Sequence, residues 1–327
     1  MLELLFFNGR LGNCLFQLIF NLLLSEKLRI PFRVPKIDSG FEFLAFPKIR
    51  EMLEKEIDTG EHTILNTHFG KFVPPEEKVD LFEKPTSGGV SSRMTLDDIS
   101  NIPNIREKHI VTLGYFEVGY QYLPHREKIK EWLSFPETKP SSFEFFRIQQ
   151  NSYVKEESGL LLNPQENDLV ISLRLDDFAK QFTERLLTFD YFRIILENRK
   201  FSNVYIVTNP YSIEDPELKQ YILEFSEYNP IVVRCFEPVQ AMAFVSRFSN
   251  IAISQSTYSW WAAYLSEAKN IYFPIPKTGT FSLVDENFKG IDLRIISPEY
   301  KYVEYQTRTI LPDDMYTRVN YEESNWS

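Results

Sequence analysis

Between Leu169 and Phe273, short apolar runs alternate with longer stretches whose apolar residues recur at helical spacing. The apolar runs are 169–173, 204–207, 231–234, 251–253 and 271–273. Helices are expected between them, over 189–198, 217–227, 239–247 and 258–268. Runs this short and this apolar fit strands buried on both faces. Strands alternating with helices build a parallel sheet covered on both sides. Ligands of such sheets sit beyond the carboxyl ends of the strands, so the residues just after each strand are the ones to read for function.

The first half carries a weaker version of the same alternation. Leu2–Phe7 reads as a buried strand, 8–13 as a turn, and the apolar residues from Leu15 to Leu24 as a helix running to about Lys27. Pro31 ends that unit, and a strand is expected at 32–34. Pro74-Pro75, Pro85 and Gly88-Gly89 predict loops from about Gly60 to Asp97. Ile110–Phe116 reads as a strand and Tyr122–Phe135 as an amphipathic helix. Pro136, Pro140 and the polar run Gln149–Glu157 read as a linker. At roughly 100–200 residues per domain, 327 residues make one large domain or two ordinary ones. The expected fold class is α/β, with two Rossmann-like doubly wound domains facing one cleft. Their expected bounds are 1–155 and 156–295, with 296–327 crossing back onto the first domain.

Composition removes several function classes. Lys and Arg number 36 against 46 Asp and Glu, a formal charge of −10, so binding to a nucleic-acid backbone is not expected. A local basic pocket for a small phosphorylated ligand is compatible with that charge. Cys14 and Cys235 are the only cysteines, and neither they nor His62, His68, His109 and His125 show metal-ligand spacing. No metal is expected, and a reducing compartment fits. The most apolar stretch, Leu2–Leu24, is broken by Asn8, Gly9, Arg10, Gly12, Asn13, Gln17 and Asn21, so it reads neither as a membrane span nor as a signal peptide.

Four post-strand segments stand out. Gly9-Arg10-Leu11-Gly12-Asn13-Cys14 precedes a helix whose N-terminus would attract anions, although on spacing alone a structural turn is the simpler reading. Ser172-Leu173-Arg174-Leu175-Asp176-Asp177 places an Arg where it can fork onto a phosphate, and a surface ion pair accounts equally for these residue types. Thr208-Asn209-Pro210 can contact a ligand or make an ordinary turn. Ser254-Gln255-Ser256-Thr257-Tyr258-Ser259 delivers hydroxyls onto a helix N-terminus. One hydroxyl makes a cap. Four Ser/Thr residues in six exceed that need and point to anion binding. Trp260, Trp261 and Leu265 are expected to pack this helix on the sheet.

These segments, with Leu-Gly-Tyr-Phe at 113–116 and Ser-Thr-Tyr-Ser-Trp-Trp-Ala-Ala at 256–263, resemble the α-1,2-fucosyltransferase family from about residue 3 to 275. The resemblance implies a GT-B fold, a GDP-sugar donor such as GDP-fucose, a glycan acceptor, inversion at the anomeric carbon and no required cofactor or metal. It implies that Arg174 grips the donor diphosphate and that Asp177 is the Asp of the family's His-x-Arg-Arg-x-Asp pattern. Ser256, Thr257 and Ser259 would hold the phosphates, and Gly9, Arg10, Gly12 and Asn13 would lie near the reaction centre. The chain departs from the pattern at Ser172 in place of His, Leu175 in place of the second Arg, and Cys14 in place of the Gln after Asn13. Another nucleotide-activated deoxyhexose donor therefore stays open, as does a non-catalytic nucleotide- or sugar-binding relative.

On this reading Arg174 and the 256–259 helix start stabilise the leaving diphosphate, with Ser172, Thr208 and Asn209 beside them. Asp177 is the candidate base for the acceptor hydroxyl. Glu184, further along the same loop, is a second candidate whose simpler reading is a solvated carboxylate. The histidines read as structural or exposed. A metal-dependent GT-A enzyme lacks its Asp-x-Asp at a strand end, and a hydrolase or dehydrogenase lacks GxSxG or GxGxxG. Without a membrane anchor, a cytoplasmic glycan-building enzyme of bacterial or viral type, peripheral to a membrane at most, is expected.

Overall fold

The structure is a computed structural model that describes residues 1–37, 39–53, 63–65, 78–82, 95–149, 152–157, 161–175, 179–180, 186–275, 292–304 and 309–310. The chain divides into two units, Met1–Pro136 with Asp285–Arg294, and Glu137–Val284 with Ile295–Ser327.

The first unit holds β1 (Leu2–Leu4), α1 (Leu11–Leu28), β2 (Phe32–Val34), α2 (Pro47–Leu53), β3 (Thr63–Leu65), β4 (Lys78–Phe82), α3 (Leu96–Ser100), β5 (His109–Leu113) and α4 (Arg126–Trp132). Its sheet runs in the order β3-β2-β1-β5-β4, parallel except for β3. The strand order reverses between β1 and β5, the switch point at which sheets of this kind open a crevice. Helix α1 is buried almost all round, and the polar residues that interrupt its apolar run lie inside. Asn21 donates to the Gln17 carbonyl and accepts from Thr112 Oγ1 on β5 at 2.7 Å, while Ser25 donates to the Ile30 carbonyl. Each buried polar group thus has a partner, which removes the cost of its burial.

The second unit holds β6 (Phe143–Gln149), β7 (Ser152–Glu156), β8 (Leu169–Ser172), α5 (Phe189–Asn198), β9 (Val204–Val207), α6 (Pro216–Leu223), β10 (Ile231–Cys235), α7 (Pro238–Val245), β11 (Asn250–Ile253), α8 (Thr257–Tyr264), β12 (Asn270–Ile275), β13 (Tyr300–Glu304) and β14 (Thr309–Ile310). Its sheet runs β14-β13-β12-β11-β8-β9-β10-β6-β7. The six strands from β13 to β10 are parallel. Counted from β8, they follow the doubly wound order 6-5-4-1-2-3, with the switch point between β8 and β11. Leu169, Ile171 and Leu173 face α5 and α6 through Phe192, Ile195, Leu218 and Ile222. On the other face Tyr205 packs edge-on against Phe244 of α7 and against Phe248. The unit is Rossmann-like α/β.

Three expectations are corrected. The stretch expected as loops contains β3 and β4 and the first residues of α3, because its prolines and glycines fall between those elements. The expected linker is β6 and β7, which pair antiparallel with each other and extend the second sheet from β10. The edge strand β7 is largely exposed and polar, with Tyr153 its contact with the core, so its sequence does not separate it from a loop. These strands belong to the second unit rather than to a first domain ending at 155. Of the segment expected to cross back, Tyr300–Glu304 and Thr309–Ile310 join the second sheet as β13 and β14, 305–308 and 311–327 lie outside the described residues, and the return to the first unit is made by 292–294. There Val118 pairs with Asp292, and the Gly119 amide donates to the Asp292 carbonyl. Smaller differences are the shortening of the helix expected over 122–135 to α4, preceded by 3-10 turns, and of that over 217–227 to α6.

Candidate functional site

The carboxyl ends of β8, β9 and β11 are level, since Ser172 registers with Val207 on one side and Ile253 on the other. The residues that follow, Leu173-Arg174, Thr208-Asn209 and Ser254-Gln255-Ser256, therefore lie on one edge at the switch point. Helix α8 begins there. Ser256 is its N-cap with extended backbone, yet it makes no side-chain capping bond, and no acidic residue lies in the first turn. The first intrahelical bond runs from the Trp260 amide to the Ser256 carbonyl. The amides before it point to the sheet edge, with the positive end of the helix dipole.

Ser172 Oγ lies 2.9 Å and Ser254 Oγ 3.0 Å from Ser259 Oγ, and Ser259 Oγ donates to the Ser172 carbonyl at 3.3 Å. If Ser172 and Ser254 both donate to Ser259, every hydroxyl hydrogen of the triad is used. The triad is buried and ties α8 to the ends of β8 and β11. Ser172 and Ser259, expected as ligand groups, thus have internal partners. Asn209 also has a local role, because its side chain caps the 3-10 turn Pro210–Ile213 by accepting from the Tyr211 amide at 2.9 Å.

Two other side chains on this edge each carry an oxygen without a hydrogen-bond partner. Thr208 is 7% exposed and Gln255 is 6% exposed, and neither Thr208 Oγ1 nor Gln255 Oε1 has a hydrogen-bond partner. Among the described residues, seven buried side-chain atoms are unpartnered, and Ser212 in the turn after Thr208 is a third at this edge. An unsatisfied buried polar atom costs about 1–3 kcal/mol, so Thr208 Oγ1 and Gln255 Oε1, at strand ends about 10 Å apart on one sheet edge, each call for a partner from outside the chain. Thr208 offers an O–H donor. Gln255 offers an acceptor for a ligand hydroxyl or N–H. Gln255 stands in the hydroxyl-rich run, but an amide among serines gives no warning in sequence that it will be buried unpaired. Arg174 follows β8 by two residues and is half-buried. Asp177 and Glu184 lie outside the described residues.

Gly9, Arg10, Gly12 and Asn13 belong to the first unit, and the residues above to the second. Gly9 has φ +87°, and a Cβ there would meet Asn13 Cβ at 2.9 Å, so the turn requires glycine. Arg10 is the N-cap of α1, Gly12 and Asn13 lie in its first turn, and Cys14 donates its amide to the Arg10 carbonyl. Gln17, not singled out from sequence, fixes the turn: it accepts from the Asn8 amide at 2.9 Å and donates to the Asn8 carbonyl at 2.8 Å. Asn8 Nδ2 in turn donates to Tyr115 Oη after β5. The Leu113–Phe116 segment ends in a left-handed Phe116, φ +57°, which stacks on Phe20 at 4.0 Å and accepts from Tyr122 Oη at 2.7 Å. A bulky residue in that conformation persists only where its surroundings hold it.

Of the histidines, His109 lies 2.8 Å from Glu3, burial and Lys128 lower His125, and His62 and His68 are outside the described residues. Among the described residues no group of three or more His, Cys, Asp or Glu side chains is placed to hold a metal ion, and no helix is long and apolar enough to cross a membrane. No family model and no curated protein sequence matches the chain.

Proposed function

We propose that the second unit binds a nucleoside diphosphate at the β8–β11 switch point, and that the chain is an inverting glycosyltransferase using a nucleotide-activated deoxyhexose, GDP-fucose foremost, to glycosylate a sugar hydroxyl of a glycan. The observation that carries this is two buried side-chain oxygens without a protein partner, Thr208 after β9 and Gln255 after β11, the latter directly before the α8 start that the Ser256 side chain leaves uncapped. A hydroxyl donor for phosphate and an amide acceptor for a ligand hydroxyl or N–H on one edge suit a nucleotide sugar better than a bare anion. The resemblance of residues 9–13, 113–116 and 256–263 to α-1,2-fucosyltransferases supports the transferase reading and the GT-B form of it, with the acceptor held by the first unit. Arg174 and the α8 amides would neutralise charge on the departing diphosphate, and fixed dipoles do so without reorganising. Asp177 would take the acceptor proton.

One observation favours a binding protein without turnover. Leu175, where the family carries a second Arg, is fully buried in the hydrophobic core, and Ser172, where it carries His, is tied to Ser259. Calorimetric titration with GDP, UDP and TDP, followed by a donor-hydrolysis assay, separates the readings. We expect GDP to bind and Arg174→Ala to weaken it by about 2 kcal/mol, the worth of a charge-assisted hydrogen bond. Binding without hydrolysis or transfer would select the binding protein. Binding indifferent to Arg174 would sink the assignment of the diphosphate site.

A further inference from the structure

Two large aromatic side chains stand exposed on the same sheet edge, and nothing above uses them. Tyr211 is 67% exposed and Phe236 53% exposed. Tyr211 follows β9 by four residues and Phe236 directly follows β10. Their ring centroids are 5.9 Å apart at 73°. An edge-to-face pair leaves ring surface open, and Tyr211 is the more open of the two. Both are held firmly. Asn209 fixes the Tyr211 backbone, and the Arg234 guanidinium lies 4.8 Å over Phe236. Arg234 is itself anchored by Glu144 at 3.4 Å and by Glu214.

We infer that Tyr211, braced by Phe236, is the stacking platform for the purine base of the nucleotide, an inference that rests on the diphosphate site proposed above. Strands lie about 4.8 Å apart, so the end of β10 is about 10 Å from that of β8. The platform therefore sits beside the anion-binding edge on the β9–β10 side, with Thr208 between, leaving a ribose to bridge the two. Two rings make a patch the size of one base and far smaller than a protein interface. A rigid, pre-placed aromatic face also binds a flat ring at little cost in side-chain entropy.

The test compares GDP with inorganic pyrophosphate by calorimetry, in wild type, Tyr211→Ala, Tyr211→Phe and Ser256→Ala. Exposure of Tyr211 makes its variants tolerable to folding, which unfolding temperatures check. We expect Tyr211→Ala to weaken GDP roughly 5- to 150-fold, the worth of one base–aromatic stack, and to leave pyrophosphate unchanged. Tyr211→Phe should keep GDP affinity, since the ring rather than the hydroxyl stacks. Ser256→Ala should weaken both ligands. GDP binding unchanged in Tyr211→Ala while Ser256→Ala weakens it would overturn the platform and leave the diphosphate site standing. Equal loss of GDP and pyrophosphate in Tyr211→Ala would also overturn it. Failure of wild type to bind either ligand would remove both proposals.

Discussion

Cys14 and Cys235 are both buried, one in each unit, and each thiol donates to a backbone carbonyl, Gly9 and Glu237 respectively. Burial pushes both thiols up to about 11, with the Glu42 carboxylate adding to the effect at Cys14. The thiolate is the reactive form, so at pH 8 roughly one part in a thousand of either thiol is reactive. We expect neither to be labelled by a disulfide reagent in the native protein, and both to react once denaturant is added. Rapid stoichiometric labelling of the folded chain would contradict this. Linkage sets the sign of the pH effect. The folded pKa lies above the ordinary value of 9.0, so the contribution is full below about 9 and is lost as pH rises toward 11. Cys14 stands where the resembled family carries Gln, and its buried, protonated thiol fills space behind the Gly9 turn rather than offering an amide to a ligand.

Helix α8 combines two jobs in eight residues. Its first turn presents amides at the strand edge, and the rest is core. Trp260 stacks on Tyr264 at 4.8 Å and meets Trp261 edge-on at 4.9 Å, and all three are fully buried. Truncating Trp260 removes most of that contact and leaves a cavity, so Trp260→Ala should cost about 3–5 kcal/mol in denaturant unfolding. A cost under about 1 kcal/mol would show that the helix is not held by this cluster. This element was legible in the sequence, because Trp260, Trp261 and Leu265 recur on a helical repeat beside a run of hydroxyls. The division of labour among the hydroxyls was not. Ser172 and Ser259 are 87 residues apart in sequence, and only the pairing of β8 with β11 brings them into contact. Periodicity found the parallel strands because burial on both faces makes them uniformly apolar. It misses β7 because that edge strand is largely exposed and polar, with a single aromatic, Tyr153, against the core. Tyr211 and Phe236 were passed over for a related reason, since an isolated aromatic after a strand reads like any core residue until its exposure is known.

At the scale of the whole molecule, the chain does not run through one unit and then the other. Residues 292–294 rejoin the first unit after the second sheet has been built up to β12, and β13 and β14 then extend that sheet. The contact that receives them is close. The Gly119 amide donates to the Asp292 carbonyl at 2.6 Å, and the Asp292 amide donates to Glu117. Arg294 folds back on Asp292, with Nε 2.7 Å from Oδ1, and the ion pair is nearly buried. A Cβ at Gly119 would lie 2.9 Å from the carbonyl oxygens of Leu293 and Arg294, and these are backbone atoms that cannot swing aside. Here glycine is required for close approach rather than for an unusual backbone angle. Gly119→Ala should therefore push the 292–294 segment off its seat and destabilise the first unit by about 1–3 kcal/mol, the usual cost of overpacking. Hydrogen exchange at the Gly119 and Asp292 amides reads the effect directly. Both should exchange faster in the variant, while amides of β8 and β9, which belong to the other unit, keep their protection. Unchanged exchange at Gly119 and Asp292 would mean that the crossing segment has another anchor, and equal loss in β8 and β9 would mean that the two units unfold as one.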